Sequence, residues 1–547
     1  MKKLLLTLLT LFLFACASHD KQNKHYYSKI EPSKLKKDVA YVQKQLVKMH
    51  PDLYWYISKE DLNKKFDSLS KTLNEPFTPN EFFFKISPIV ASVHQGHMGV
   101  SMVTLTSPDS LKKKYKGSVN PLENFEYEYL NNKLFIKKNK SKTDTILQVG
   151  TEIVDINGIK PLDVLKKYRS TFTSDGYNES GIPKFFARRL NSFYVNELGF
   201  VDSIKINAVC ADTTFYHTVK RTFKESKKSK KDLALKEKDT LKNTKIVQKD
   251  TLPKLSKKEQ KIKNKAIAQQ NKKAYKKQRL FGYNYKSKTF SKEIIFPVAS
   301  DSTISILKIR DFSDGKIKVY DSIFSTIKKH NVQNLIIDLR GNPGGRLNEI
   351  HKLAQYLNDT TFVFTQPATI TKRTTYFNLL KGKSPVTTFF SIPFVTIYST
   401  IRGLKSSRND LGELKVPIKS SRITKPKSLN YKNNLYVITD GMTFSAAAII
   451  SSHLKGRNRA LFVGDETGGT FNGTVAGVMP VVKLPHSKLK LRVGLMTIKP
   501  EQQTQKEGYG VLPDVYIKPT EEDFLSEKDV ELEYILNRLK SNKNALN

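Results

Sequence analysis

The sequence predicts an α/β fold, and three observations carry that reading. Apolar runs of buried-strand length recur in the C-terminal half, at Ser302–Ile309, Leu335–Leu339 and Asn434–Thr439. Segments with helical spacing separate or follow them, at Ile317–His330, Leu347–Leu357 and Ala446–Leu454. The N-terminal half has a different texture, helices first and then short strands. The alternation in the C-terminal half argues for sheet strands linked by helices.

The chain opens with Lys2 and Lys3, then an apolar run from Leu4 to Phe14 that leads into Ala15 and Cys16. Such a start reads residues 1–15 as a lipoprotein signal peptide and Cys16 as the lipidation site. An ordinary secretory signal with a chance cysteine is the alternative. Either way the mature protein is expected to be exported to the cell envelope. Under the first reading a lipid anchor holds it to a membrane, facing the periplasm or on the cell surface. Residues 16–29 read as a polar tether. Residues 30–100 read as a helical region, with helices at Lys34–His50, Leu62–Leu73 and Pro79–Val93 and a kink at Pro88.

Residues 101–220 alternate in short strands. Within them Val149–Ile159, with its Asn157-Gly158 turn and the helical stretch that follows from Pro161, resembles the core hairpin of a PDZ domain. Domains of that kind add an extended peptide to a sheet edge, often by its free C-terminus. Residues 221–285 form a Lys-rich, low-complexity insertion, expected to be disordered or partly helical. From Arg221 to Leu280 it carries 22 Lys or Arg against 6 Asp or Glu. The formal charge of +43 would suggest nucleic acid, but the insertion lacks interleaved aromatics, so no nucleic-acid partner is expected. A charged arm for envelope adhesion is the other reading of this insertion.

Residues 286–520 form the α/β core. Strands are expected near Phe362 and at Phe394–Tyr398, inside a basic stretch, Leu380–Ser428, with little other pattern. Residues 521–547 form a terminal helix, at Asp523–Lys540, and a tail. The two cysteines, Cys16 and Cys210, supply neither a disulfide framework nor a zinc cluster, and no metal or cofactor is expected. Cys210 reads as a lone buried thiol.

Two turns in the core carry chemistry. After the strand at Leu335 come Asp338, Arg340 and the turn Gly341-Asn342-Pro343-Gly344-Gly345. Its glycines let bare N–H groups face a ligand. After the strand at Asn434 come Asp440-Gly441-Met442-Thr443-Phe444-Ser445 and an alanine-rich helix. Ser445 therefore sits on a strand-to-helix turn, where free N–H groups and the helix dipole favour a nucleophile.

These two motifs, with Gly464-Asp465-Glu466-Thr467-Gly468-Gly469 and Gly510-Val511-Leu512-Pro513-Asp514 in the same order, resemble the tail-specific, or C-terminal processing, serine peptidases. The resemblance spans roughly Ile30 to Lys518, apart from the insertion. It implies a ClpP/crotonase-like core with a helical N-terminal region and a PDZ-like domain. It further implies hydrolysis of peptide bonds in protein or peptide substrates, selected by their C-termini, through an acyl-enzyme at Ser445. Members that pair the serine with lysine place that lysine where this chain has Gly469. The tricorn-like branch takes a histidine from an Asp-x-His-Thr motif instead. Here that motif reads Gln95-Gly96-His97-Met98, which makes His97 the expected base, with two departures around it. His94 is the competing base. A late glutamate orients the histidine in that branch, and Glu507 is the candidate, with Glu501 and Glu466 as alternatives. The oxyanion hole would use the N–H of Ala446 and that of Gly344 or Gly345. Asp338 and Arg340 are expected to brace the turn. A catalytically inactive peptide-binding lipoprotein is the alternative function, and the altered motif around His97 is its support.

Overall fold

A computed structural model describes residues 19–105, 109–223, 257–285 and 287–546. The apolar run Leu4–Phe14, Cys16 and residues 224–256 of the Lys-rich insertion lie outside these. Residues His19–Tyr27, expected within a polar tether, form a helix, α1. Helices α2 (Pro32–Met49), α3 (Lys59–Thr72) and α4 (Pro79–Ala91) follow. Thr78 and Glu81 close a reciprocal capping box on α4, which fixes where the chain enters it. Pro88 lies inside α4. The apolar faces of α2 to α4 bury Val39, Val42, Leu46, Phe66, Phe82 and Ile86 against core strands.

The turn after α4 leads directly into β1 (Gly99–Ser101). The next domain is a five-stranded antiparallel sheet in sequence order: β2 (Phe125–Leu130), β3 (Lys133–Asn139), β4 (Glu152–Ile156), β5 (Ser203–Cys210) and β6 (Thr213–Lys220). Three helices, α5 (Pro161–Arg169), α6 (Gly181–Arg188) and α7 (Leu190–Leu198), sit between β4 and β5. Cys210 ends β5 as a free and only half-buried thiol. The described end of the insertion is helical, α8 (Lys257–Phe281).

The core is a six-stranded sheet. Its strands are β7 (Lys292–Ile295), β8 (Ile304–Ile309), α9 (Val319–Lys329) crossing to β9 (Asn334–Asp338), and, beyond α10 (Leu347–Leu357), the later strands. After β10 (Ala368–Ile370) comes α11 (Pro385–Leu404), so Phe394–Tyr398 is helical and not a strand. Ser391, Val395, Ser399 and Gly403 recur every four residues, and the last three are buried along one face. That period outweighs the strand preference of the aromatic and β-branched residues between them. Next come β11 (Leu414–Val416), β12 (Asn434–Thr439), α12 (Ala446–Gly456), β13 (Leu461–Gly464), β14 (Thr474–Ala476), β15 (Val481–Lys483), β16 (Lys490–Arg492), β17 (Met496–Ile498) and β18 (Val515–Tyr516). The chain closes with α13 (Val530–Leu546), preceded by a short turn of helix at Glu521–Leu525.

The core sheet runs β7-β8-β9-β12-β13-β18, with β7 antiparallel and the rest parallel. Asn334 pairs with Asn434 and Asp338 with Ile438, so β9 and β12 end side by side. In open parallel sheets, functional turns gather at the carboxyl ends of neighbouring strands. A second sheet, ordered Ser407–Arg408, β11, β10, β17, β14, flanks it. Finally β1 pairs with β16, Gly99 opposite Arg492, and this ties the turn after α4 to the core.

Candidate active site

The two glycine-bearing turns meet where β9 and β12 end. The backbone of Asn342 accepts from Phe444 N–H at 2.9 Å, and its side chain donates to the Ile309 carbonyl at 2.8 Å. Thr443 Oγ1 donates to the Leu339 carbonyl at 2.9 Å and accepts from Asp440 N–H at 3.0 Å. Asp440 also accepts from Gly341 N–H at 2.9 Å and Met442 N–H at 3.0 Å. Lys184, carried in from α6, reaches its other oxygen at 2.9 Å. Burial opposes the charge of Asp440, but Lys184 and these donors still hold its carboxyl below the usual range.

Ser445 caps α12 with φ 55° and ψ −121°. A side chain held at positive φ is strained, and the surrounding bonds must enforce it. Gly344 allows the close approach: a Cβ there would lie 2.7 Å from both Ser445 Cβ and Ala446 N. The N–H of Gly344 donates to Asn342 Oδ1 at 2.8 Å, so this donor is already engaged. Ala446 opens α12, where the first N–H groups have no intrahelical acceptor. Of the donors expected for an oxyanion hole, Ala446 and Gly345 are the two left without a backbone or side-chain acceptor among the described residues.

His97 is delivered from the other side, by the turn between α4 and β1. Its Nε2 lies 2.8 Å from Ser445 Oγ. The Phe444 ring packs on the imidazole with centroids 5.0 Å apart. Gly96 makes room for that ring, since a Cβ there would lie 2.5 Å from Phe444 Cζ. Asp175 accepts from Gly96 N–H at 2.7 Å and so holds the peptide before His97. Burial pushes the Asp175 carboxyl up to about 6. Burial, with Arg492 adding to it, lowers His97 to about 4, so the imidazole is neutral at pH 7.

The other expected residues lie elsewhere. His94 Nδ1 donates to the Gly176 carbonyl at 3.0 Å, and its ring faces Tyr177. Glu507 is on an exposed turn and accepts from Trp55 Nε1 at 3.1 Å, so its carboxylate is with an indole and not with His97. Glu466 accepts from Gly510 N–H at 2.6 Å and braces that loop. Glu501 is exposed. None of the three acids hydrogen-bonds His97. Asp338 and Arg340 form a brace. Asp338 accepts from Arg340 Nε at 3.0 Å and from Lys308 at 2.7 Å, and Arg340 clamps Asp529, just before α13, at 2.7 and 2.8 Å and Glu531, in its first turn, at 3.1 Å. Lysine is not available to Ser445 in the expected place. A Cβ at Gly469 would lie 2.6 Å from Ala448 Cβ, and Lys455 pairs with Asp514. Among the described residues no group of His, Cys, Asp and Glu is arranged to hold a metal ion.

Sequence reading missed Asp175, Phe444, Asn342 and Lys184 as parts of this site. Asn342 and Phe444 were in motifs but carried no role. Asp175 and Lys184 lie in the neighbouring domain, with no motif to mark them.

A run of aromatic rings adjoins His94, whose ring meets Tyr177 at 5.4 Å. Trp55 and Tyr56 stack at 5.2 Å, Tyr56 meets Tyr177 at 5.8 Å, and Tyr177 meets Tyr509 at 6.2 Å. Lys499 covers Trp55 at 4.4 Å.

Residues 303–517 match Peptidase family S41. The structure of mature CPAF complexed with lactacystin is similar in fold, with a TM-score of 0.57 at 14% identity, over 93% of this chain and 98% of that one. A second structure of mature CPAF gives 0.54 at 15% identity, over 90% and 94%. The photosystem II D1 C-terminal processing protease aligns over 89% of this chain and 93% of that one, at 12% identity and a TM-score of 0.39. No curated protein sequence matches the chain.

Proposed function

We propose that this chain, whose residues 303–517 match peptidase family S41, is an exported serine-type peptidase in which Ser445 and His97 cut peptide bonds of protein or peptide substrates. The observation that carries the assignment is the 2.8 Å contact between Ser445 Oγ and His97 Nε2, with the serine on a strained strand-to-helix turn. Ser445 Oγ attacks the scissile carbonyl carbon while His97 Nε2 takes its proton. The carbonyl oxygen becomes an oxyanion that accepts from the N–H groups of Ala446 and Gly345. The tetrahedral species collapses, His97 gives the proton to the leaving amine, and the acyl-enzyme remains on Ser445. Water then repeats the cycle, with His97 as base again, and frees the second product.

The pair is steadied without an acid on the imidazole. Asp175 fixes the backbone before His97 through Gly96, and Phe444 fixes the ring plane. Because burial keeps His97 neutral, it is ready to accept a proton at pH 7. Two features support selection of substrates by an extended segment near the C-terminus. Among the described residues no further strand pairs with the outer side of β2 or β6, and α6, which packs against β2, is fastened to the catalytic turns by Lys184 to Asp440 and by Arg188 to the Gly341 carbonyl. Export and a lipid anchor at Cys16 rest on the charged and apolar start of the chain. These features support an enzyme of the cell envelope that is held on a membrane.

A second reading, a peptide-binding lipoprotein without turnover, is favoured by the absence, among the described residues, of a carboxylate hydrogen-bonded to His97. Internally quenched peptides separate the two. We expect hydrolysis by the wild-type chain, none by Ser445→Ala, and faster hydrolysis of peptides with a free C-terminal carboxylate than of their amides. Peptides bound but never cut would favour the second reading, and equal rates for acid and amide would remove C-terminal selection.

A further inference from the structure

Helix α11 is inside out. Its buried residues are Val395, Ser399 and Gly403, while Phe389, Phe390, Phe394, Ile397 and Leu404 are 71%, 69%, 75%, 61% and 79% exposed. A surface helix of a water-soluble domain normally turns its apolar stripe inward, and scattered exposed apolar residues need no account, but a continuous row of five on one helix does. Small residues explain the inner side. A Cβ at Gly403 would lie 3.0 Å from the Arg373 carbonyl oxygen, so the helix lies tight against the strand-to-helix connection beneath it. The large side chains are therefore turned outward by the packing itself.

Charge identifies what the outer face meets. Between Asp359 and Asp410 there is no Asp or Glu, and there are seven Lys or Arg: Lys372, Arg373, Lys381, Lys383, Arg402, Lys405 and Arg408. Lys383 precedes the helix, Lys405 and Arg408 follow it, and all three are exposed. An aromatic and aliphatic face with cationic ends fits the boundary of an anionic bilayer, where rings and acyl chains mix and basic groups meet headgroups. A second copy fits poorly, because a two-fold contact would set one wholly cationic margin against another. Among the described residues no helix is long and apolar enough to cross a membrane.

We propose that α11 is an interfacial docking helix that lies along an anionic lipid leaflet, with Phe389, Phe390 and Phe394 among the acyl chains and Lys383, Lys405 and Arg408 at the headgroups. This surface is separate from the catalytic pair. It adds a second membrane contact to the N-terminal anchor proposed above and orients the domain on the leaflet.

The chain holds one tryptophan, Trp55, so a full-length protein carrying Trp55→Phe and Phe394→Trp reports on α11 alone. It would be mixed with vesicles of phosphatidylglycerol and phosphatidylcholine, with or without brominated acyl chains. We expect a blue-shifted emission that brominated lipid quenches. Adding Lys383→Glu, Lys405→Glu and Arg408→Glu should weaken vesicle titration of that signal roughly 100-fold. Emission that stays red-shifted and unquenched on vesicle-bound protein would overturn the proposal. So would equal quenching on pure phosphatidylcholine. A blue shift that grows with protein concentration in the absence of lipid would assign the face to a second copy instead.

Discussion

At the scale of single residues, the chemistry depends on how His97 is held. Among the described residues no carboxylate hydrogen-bonds its imidazole, and Asp175 acts one peptide away, on Gly96 N–H at 2.7 Å. Asp175→Ala should therefore lower kcat by one to two orders of magnitude with little change in KM, while Asp175→Asn, which keeps an acceptor oxygen, recovers most of the loss. Equal losses in both variants would mean that the charge, and not the acceptor, matters. Gly96→Ala should be as damaging as loss of the histidine, because the added methyl would meet the Phe444 ring at 2.5 Å. The pH profile follows from the same burial. His97 is lowered to about 4, so the acid limb of kcat/KM should fall near pH 4, not near the ordinary histidine value of about 6.5. A limb near pH 6.5 would show an imidazole open to water. Ser445 was legible in the sequence because a strand, a turn and an alanine-rich helix surround it. Asp175 was not, since its role comes from a contact 79 positions away in the chain.

At the scale of elements, the helix after the first glycine turn is pinned by an ion pair with no access to water. Lys292 Nζ on β7 lies 2.8 Å from Glu349 Oε1 on α10, and both side chains are fully buried. Glu349→Leu would leave the Lys292 ammonium without its counter-charge and should cost about 3 kcal/mol in urea unfolding. The double variant with Lys292→Met should recover most of that loss, and a double variant no more stable than the single one would contradict the pairing. Elements with a clear period were readable in advance: Leu347–Leu357 and Asn434–Thr439 fall where their patterns placed them. Phe394–Tyr398 did not, because its aromatic and β-branched residues suggest a strand while the helical signal lies in the spacing of small residues around them. Pairings such as Lys292 with Glu349 leave no local signature, since the two residues are brought together only by the sheet.

At the scale of the whole molecule, three further histidines are buried away from the catalytic pair. Burial lowers His50 to about 3 and His351 to about 4, and burial with Arg457 nearby lowers His453 to about 3. Each folded value lies below the unfolded value of about 6.5, so the unfolded chain binds protons that the folded chain refuses. Stability should be full above pH 6.5 and fall as the pH drops towards 4, by about 2 kcal/mol per such histidine at pH 5. A urea midpoint unchanged between pH 7 and pH 5 would contradict this, and His50→Phe should flatten the dependence. Helices first, then short strands, then alternating strands and helices could be read from composition and period. Their mutual placement could not. It rests on contacts such as Gly99 opposite Arg492 and Lys184 on Asp440, which join distant segments around one cleft.

The central claim is that His97 activates Ser445, and labelling with a fluorophosphonate probe tests it most directly. Wild-type protein, Ser445→Ala and His97→Ala would be treated in parallel and the adduct mapped by mass spectrometry. The account predicts one adduct, on Ser445, lost entirely in Ser445→Ala and slowed by at least about 100-fold in His97→Ala. A folded wild-type protein that stays unlabelled, or one labelled equally fast without His97, would contradict it.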